Sequence, residues 1–286
     1  MRTETEFPSS GVTLRGWLYR PDQADGDTPL VVMAGAFASL KEWFVPFAET
    51  FTEAGLACLL YDHPSFGDSE GEPRQEVDPF RQVEAYRDAL TYAETLEGID
   101  SDRLGIWGTS FSGAHVLVVG ATDRRVRAVV AQAPLTDGFD NVLRFCSPEQ
   151  LYGLQALIAQ DRRARMAGEP HMLFEESPIP GGEMMEYVQR KRLETPQWRE
   201  ELTISSMDKF QSYTPGAFIA RISPTPLLMI VTTRDEITPT DLQLASYGEA
   251  REPKELVVVD GNHCSVYEDN FETVSTAARD FFLRRL

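Results

Sequence analysis

Three residues of this chain have the types and the order for nucleophilic acyl chemistry: Ser110, Asp235 and His263. A serine hydroxyl is a poor nucleophile at its own pKa, so a histidine must take its proton during attack. A carboxylate on the second imidazole nitrogen selects the tautomer and stabilises the imidazolium. The oxyanion formed on the attacked carbonyl needs aimed N–H donors. The candidates are the backbone N–H of Phe111, directly after the serine, and that of Phe37 in the small-residue loop Gly35-Ala36-Phe37-Ala38-Ser39.

Ser110 stands in Gly108-Thr109-Ser110-Phe111-Ser112-Gly113. The apolar run Leu104 to Trp107 before it reads as a buried strand, and Ala114 to Val119 after it as a buried helix. A serine on so sharp a strand-to-helix turn is a nucleophile elbow, where flanking Cβ atoms would collide and small residues are required. Gly108 satisfies the pattern two residues before the serine. Two residues after it stands Ser112, also small, with Gly113 next.

The elements around the elbow alternate. Val12 to Tyr19 has the period of a half-buried strand. Pro29 to Ala34, Leu56 to Tyr61, Val126 to Ala131, Pro226 to Val231 and Glu255 to Val259 are continuous apolar runs, as in parallel strands covered on both faces. Between them lie helices over Lys41–Ala54, Asp78–Ala93 (an N-cap acid followed by proline) and Leu242–Arg251. Glu268–Leu286 closes the chain. Strand–helix alternation predicts a parallel sheet with helices on both faces. Ser110, Asp235 and His263 then each follow the C-terminal end of a different strand, the edge where such sheets carry their sites. From Leu135 to Ser223 the rhythm stops. That stretch, with its Pro178–Gly182 segment, is expected to be a mainly helical insertion over the same edge.

Composition bounds the function classes. A net charge of −18 over 286 residues argues against nucleic acid or an anionic membrane as partner. Three widely spaced cysteines, Cys58, Cys146 and Cys264, suit a reducing compartment, and no cluster has zinc spacing. With neither a signal-like apolar N-terminus nor a spanning apolar run, a cytoplasmic protein is expected. A homodimer is compatible with the sequence. No metal or dinucleotide motif is present, so no cofactor is implied.

Other polar residues have plainer readings. Glu236 is the rival of Asp235 for the acid role. Asp62 is expected to fix the loop that follows it, His115 to pack in the helix after the serine, and Cys264 to be a small packing residue. His63 lies near the same edge and His171 in the insertion.

With these residues in view, the sequence resembles the α/β-hydrolase superfamily, and within it a bacterial and fungal branch that includes fungal polyketide-transferase-like proteins. The matching stretches are Val32–Ala34 through Glu42, Tyr61–His63 with Phe66-Gly67, Gly71–Gln75, Trp107–Gly113, Asp235–Asp241 and Glu252–His263. Trp198-Arg199, Thr203 and Ser223–Leu228 match as well, so the likeness covers nearly the whole chain. Two positions depart from the branch: Pro64 stands where arginine is usual, and Gly35-Ala36 precede Phe37. The resemblance implies an α/β-hydrolase fold with a mostly parallel eight-stranded sheet flanked by helices. The core is expected over 1–134 and 224–286, with a helical lid at 135–223, inserted after the sixth strand. It also implies a serine hydrolase cleaving an ester, thioester or lactone. Ser110, His263 and Asp235 would form its triad, and the Phe37 and Phe111 amides its oxyanion hole. Acyl transfer or carbon–carbon hydrolysis by the same triad is the rival chemistry, and a non-catalytic ligand-binding protein the rival class. Phe145, Leu151, Leu154, Met166, Met172, Phe174, Met184 and Met185 are expected to roof the site, favouring an apolar or aromatic acyl substrate.

Overall fold

The computed structural model describes residues 1–22, 26–174 and 182–286. Residues 178–181 of the Pro178–Gly182 segment lie outside the described residues. The strands are β1 (Arg2–Ser9), β2 (Val12–Tyr19), β3 (Thr28–Ala34), β4 (Ala57–Tyr61), β5 (Ile99–Thr109), β6 (Val126–Gln132), β7 (Leu173–Phe174), β8 (Leu202–Thr203), β9 (Leu227–Thr232) and β10 (Lys254–Val259). Eight of them form one sheet in the order β1-β2-β4-β3-β5-β6-β9-β10, and β7 pairs with β8 in a separate ribbon. β2 pairs antiparallel with β1 and with β4; from β4 to β10 every neighbour is parallel.

The helices are α1 (Val45–Glu53), α2 (Pro79–Ala93), α3 (Phe111–Thr122), α4 (Gly138–Phe145), α5 (Pro148–Met166), α6 (Glu183–Glu194), α7 (Ile204–Gln211), α8 (Thr240–Glu249) and α9 (Phe271–Arg285). The apolar strand runs split between the two sheet faces with period two. Leu30, Val32 and Ala34 of β3 join a core built with α2 and α3. Val31 and Met33 join a second core with α1 and α9. Leu227, Met229 and Val231 of β9 divide from Leu228 and Ile230 in the same way. Burial on both faces is the reason these strands carry no polar alternation.

Three elements depart from the sequence expectation. β1 forms a hairpin with β2 through Ser10 and Gly11, both at positive φ. Its Arg2, Glu4 and Glu6 are exposed and only Phe7 and Ser9 are buried, so the strand carries no apolar signal. The Lys41–Ala54 helix divides into a 3-10 turn over Lys41–Phe44 and α1, with Pro46 in the first turn of α1. β5 begins at Ile99, five residues before the apolar run of Leu104. Between β6 and β9 the chain runs through α4 to α7 and the β7–β8 ribbon. Among the described residues no helix is long and apolar enough to cross a membrane.

Candidate active site

β5 delivers Ser110. The residue sits between the strand and α3 with φ 55° and ψ −115°, a backbone conformation that costs a side-chain-bearing residue about 1–3 kcal/mol. The neighbouring strands hold it there: the Ser110 N–H donates to the Gln132 carbonyl (2.8 Å), and the Leu135 N–H donates to the Ser110 carbonyl (3.1 Å). A Cβ on Gly108 would fall on the Ser112 carbonyl, and one on Gly113 would come within 3.0 Å of the Gln132 carbonyl. Those close approaches explain why the elbow needs small residues.

His263 opens a 3-10 turn, His263–Val266, after β10. Asn262 caps the turn by accepting from the Cys264 and Ser265 N–H groups, and the Ser265 side chain accepts from the Asn262 N–H. The imidazole is buried. Its Nε2 lies 3.0 Å from Ser110 Oγ and its Nδ1 2.8 Å from Asp235 Oδ2. Since a carboxylate can only accept, Nδ1 carries a proton and Nε2 faces the serine hydroxyl as the acceptor.

Asp235 follows β9 and is clamped from several sides. Oδ1 accepts from the N–H of Ile237 (3.0 Å) and of Thr238 (2.8 Å). Oδ2 lies 3.0 Å from Thr238 Oγ1 and 3.2 Å from Gln243 Nε2. Burial pushes this carboxyl up, but His263 and the Thr238 donors outweigh it and hold its pKa below the usual carboxylate range. Asp235 therefore stays ionised beside the imidazole. Glu236, its rival in the sequence, is exposed and turned to solvent.

The loop after β3 brings Phe37 to the serine. The Phe37 ring meets Phe111 edge-on (centroids 5.3 Å apart) and Phe210 likewise (5.7 Å). The Phe111 N–H belongs to the first turn of α3, where backbone donors have no intrahelical acceptor and the helix dipole is positive.

Ser110 borders two apolar pockets. One is walled by Phe37, Leu135, Phe145, Met207 and Phe210; the other by Trp43, Met184, Tyr187, Trp198 and Tyr267.

A match to the alpha/beta hydrolase fold model extends over residues 28–270. The chain belongs to the alpha/beta hydrolase fold family. It is 35% identical to a thiohydrolase of Eupenicillium brefeldianum over 91% of this chain and 86% of that one. It is 32% identical to the polyketide transferase grgF of Penicillium sp. over 100% of this chain and 97% of that one. The crystal structure of the alpha/beta hydrolase GrgF from Penicillium sp. sh18 superposes with a TM-score of 0.86 at 29% identity, covering 100% of this chain and 99% of that chain. The chain is an enzyme of the hydrolase class, of the branch that holds these fungal proteins.

The residues named from the sequence are distributed as follows. Ser110, His263 and Asp235 come together, with Phe37 and Phe111 beside them. Asp62 accepts from the backbone N–H of Lys41 (2.8 Å) and of Asp68 (3.1 Å), so it ties down the loop after β4. His115 packs behind the elbow between Tyr213 Oη (3.0 Å) and Gln82 Oε1 (2.9 Å). His171 lies apart, 3.2 Å from Ser205 Oγ. Cys264 is buried next to His263. The expected apolar roof divides. Phe145, Met184 and Met185 line the pockets, whereas Leu151, Leu154 and Phe174 pack on the core. Met166, at the end of α5, is 89% exposed and is no part of a roof.

Several supporting residues were not singled out from the sequence. Thr238 and Gln243 hold the acid, and an aspartate followed three residues later by threonine is a turn signal that points to the first of them. Lys41, fully buried against Asp62, carries no local signal because its partner comes from another strand. Ser112 and His63 form a second polar pair beneath the site, with Ser112 Oγ 2.9 Å from His63 Nε2.

Proposed function

We propose that this enzyme is a serine hydrolase that cleaves an ester, thioester or lactone through an acyl-enzyme on Ser110. The observation that carries the reading is the unbroken hydrogen-bond chain from Ser110 Oγ through His263 to Asp235, set on a strained elbow. In the first half-reaction Ser110 Oγ attacks the carbonyl carbon and His263 Nε2 takes its proton. Negative charge develops on the carbonyl oxygen, which the N–H groups of Phe111 and Phe37 receive. Collapse breaks the bond to the leaving group, and His263 returns the proton to it. In the second half-reaction His263 deprotonates water, hydroxide equivalent adds to the acyl carbon, and the Oγ–acyl bond breaks. Asp235, held ionised, balances the imidazolium in both halves. The segment over 135–223 serves as a lid whose Phe145, Met184 and Met185 close over the acyl group.

Transfer to an alcohol or thiol acceptor runs through the same acyl-enzyme. Similarity to a polyketide transferase as well as to a thiohydrolase favours it as the second reading. Turnover of p-nitrophenyl esters by wild type and Ser110→Ala tests the proposal. Loss of the nucleophile is expected to lower kcat by about 10⁶-fold. Turnover retained in Ser110→Ala would refute the assignment.

A further inference from the structure

The two pockets that meet at Ser110 differ in chemistry and in their relation to His263. The first encloses about 480 Å³, its open mouth included, and is bordered by Phe37, Ser110 and Phe111. Its far walls are Leu135, Phe145, Met207 and Phe210. The polar side chain among them, Asn141, turns its Nδ2 to the Ile237 carbonyl at 2.8 Å. The second encloses about 790 Å³, its mouth likewise included, and is bordered by both Ser110 and His263. Its walls are aromatic: Trp43 lies 5.8 Å from Trp198, and Tyr187 stacks on Tyr267 at 5.3 Å. Two hydroxyls on that wall, Ser39 Oγ and Tyr187 Oη, are buried and have no hydrogen-bond partner among the described residues.

The direction of proton transfer orders the two. The histidine that takes the serine proton must hand it to the departing group and later draw one from the incoming acceptor. Both must therefore lie on the side bordered by His263, and the acyl chain must occupy the other. Buried hydroxyls without partners cost about 1–3 kcal/mol each, which a ligand acceptor would restore. We infer that the Phe145–Met207 pocket holds a purely aliphatic acyl chain. The Trp43–Tyr187 pocket holds the leaving group or acceptor, an aromatic ring bearing a carbonyl or hydroxyl oxygen that accepts from Ser39 and Tyr187. This inference rests on the acyl-enzyme reading above and gives that reaction its substrate class.

Alkylphosphonate esters test it. Ser110 Oγ attacks phosphorus, a phenol departs with the proton from His263, and the alkyl chain on phosphorus takes the acyl position. Second-order rate constants for Ser110 modification are read by intact mass in two series. One varies the alkyl chain from methyl to decyl with 4-nitrophenol departing. The other keeps butyl and compares 4-acetylphenol with 4-isopropylphenol. Taking each reagent's ratio between wild type and variant cancels its intrinsic reactivity. Phe145→Ala, with Met207→Ala as an independent second variant, is expected to raise the rate for octyl over butyl about tenfold and to leave the phenol ratio unchanged. Tyr187→Phe and Ser39→Ala are expected to lower the acetylphenol rate about tenfold relative to isopropylphenol, with the chain-length optimum unmoved. Chain-length preference that shifts in the Tyr187 and Ser39 variants, or a phenol ratio that responds only to Phe145 and Met207, would overturn the assignment of the pockets. A wild type that takes up none of the reagents would instead overturn the nucleophile reading beneath it.

Discussion

At the scale of single residues, the elbow's departure from its pattern has a physical use. Ser112 stands where glycine is expected, and its hydroxyl donates to the Gly35 carbonyl, at the root of the loop that carries Phe37. His63 Nε2–H donates to the same oxygen at 2.9 Å, and its buried Nδ1 is the unprotonated nitrogen. The serine thus ties α3, which presents the Phe111 N–H, to the loop that presents the Phe37 N–H. Removing one oxyanion donor outright costs about 10²–10³ in kcat. Releasing its loop by Ser112→Ala is expected to cost about tenfold in kcat with KM little changed, measured as separate kinetic constants. A variant that loses only thermal stability and keeps kcat would refute this role. The sequence marked Ser112 as a mild departure. It could not mark the bond, because Gly35 and His63 come from two other strand ends.

At the scale of elements, the sheet places the chemistry and a buried ion pair holds the loops that frame it. Lys41 Nζ lies 2.6 Å from both Asp62 Oδ2 and Asp68 Oδ2. Burial works against its charge, but the carboxylates outweigh burial and keep its pKa above the usual lysine value. Breaking a buried pair strands the partner charge. Lys41→Met is therefore expected to cost about 3–5 kcal/mol in urea unfolding, and a loss under 1 kcal/mol would show that Asp62 is satisfied by backbone donors alone. Much of this scale was legible in the sequence. The doubly buried strands gave continuous apolar runs, and Asp78 caps α2 by accepting from the Phe80 and Arg81 N–H groups, as its position before Pro79 predicts. β1 was not legible, because an edge strand with one solvated face reads as polar chain. The pocket walls between β6 and β9 were legible only in part. Amphipathic residues such as Leu151 and Met166 have the same composition whether they face a ligand, the core or water, and only packing assigns them.

At the scale of the molecule, stability is tied to two neutral histidines behind the site. Burial pushes His63 down to about 3 and, with His63 nearby, His115 well below its usual value. Both folded-state values lie under the unfolded one of about 6.5, so between them the unfolded chain binds more protons. Their contribution is full above about pH 6.5 and is lost as pH falls. At pH 5 the loss is about 2 kcal/mol per histidine. Urea unfolding at pH 7.5 and pH 5 checks this: His115→Gln is expected to lose less on acidification than wild type, and equal losses would contradict it.

The whole arrangement, sheet edge, elbow, loop and pockets, converges on one oxygen atom. The most direct test is to mix the enzyme with p-nitrophenyl butyrate, quench in acid within the first turnover and map the added mass. The predicted result is one butyryl group on the peptide carrying Ser110, absent in Ser110→Ala. Turnover with no acyl group on that serine, or with the group on another residue, would contradict the mechanism.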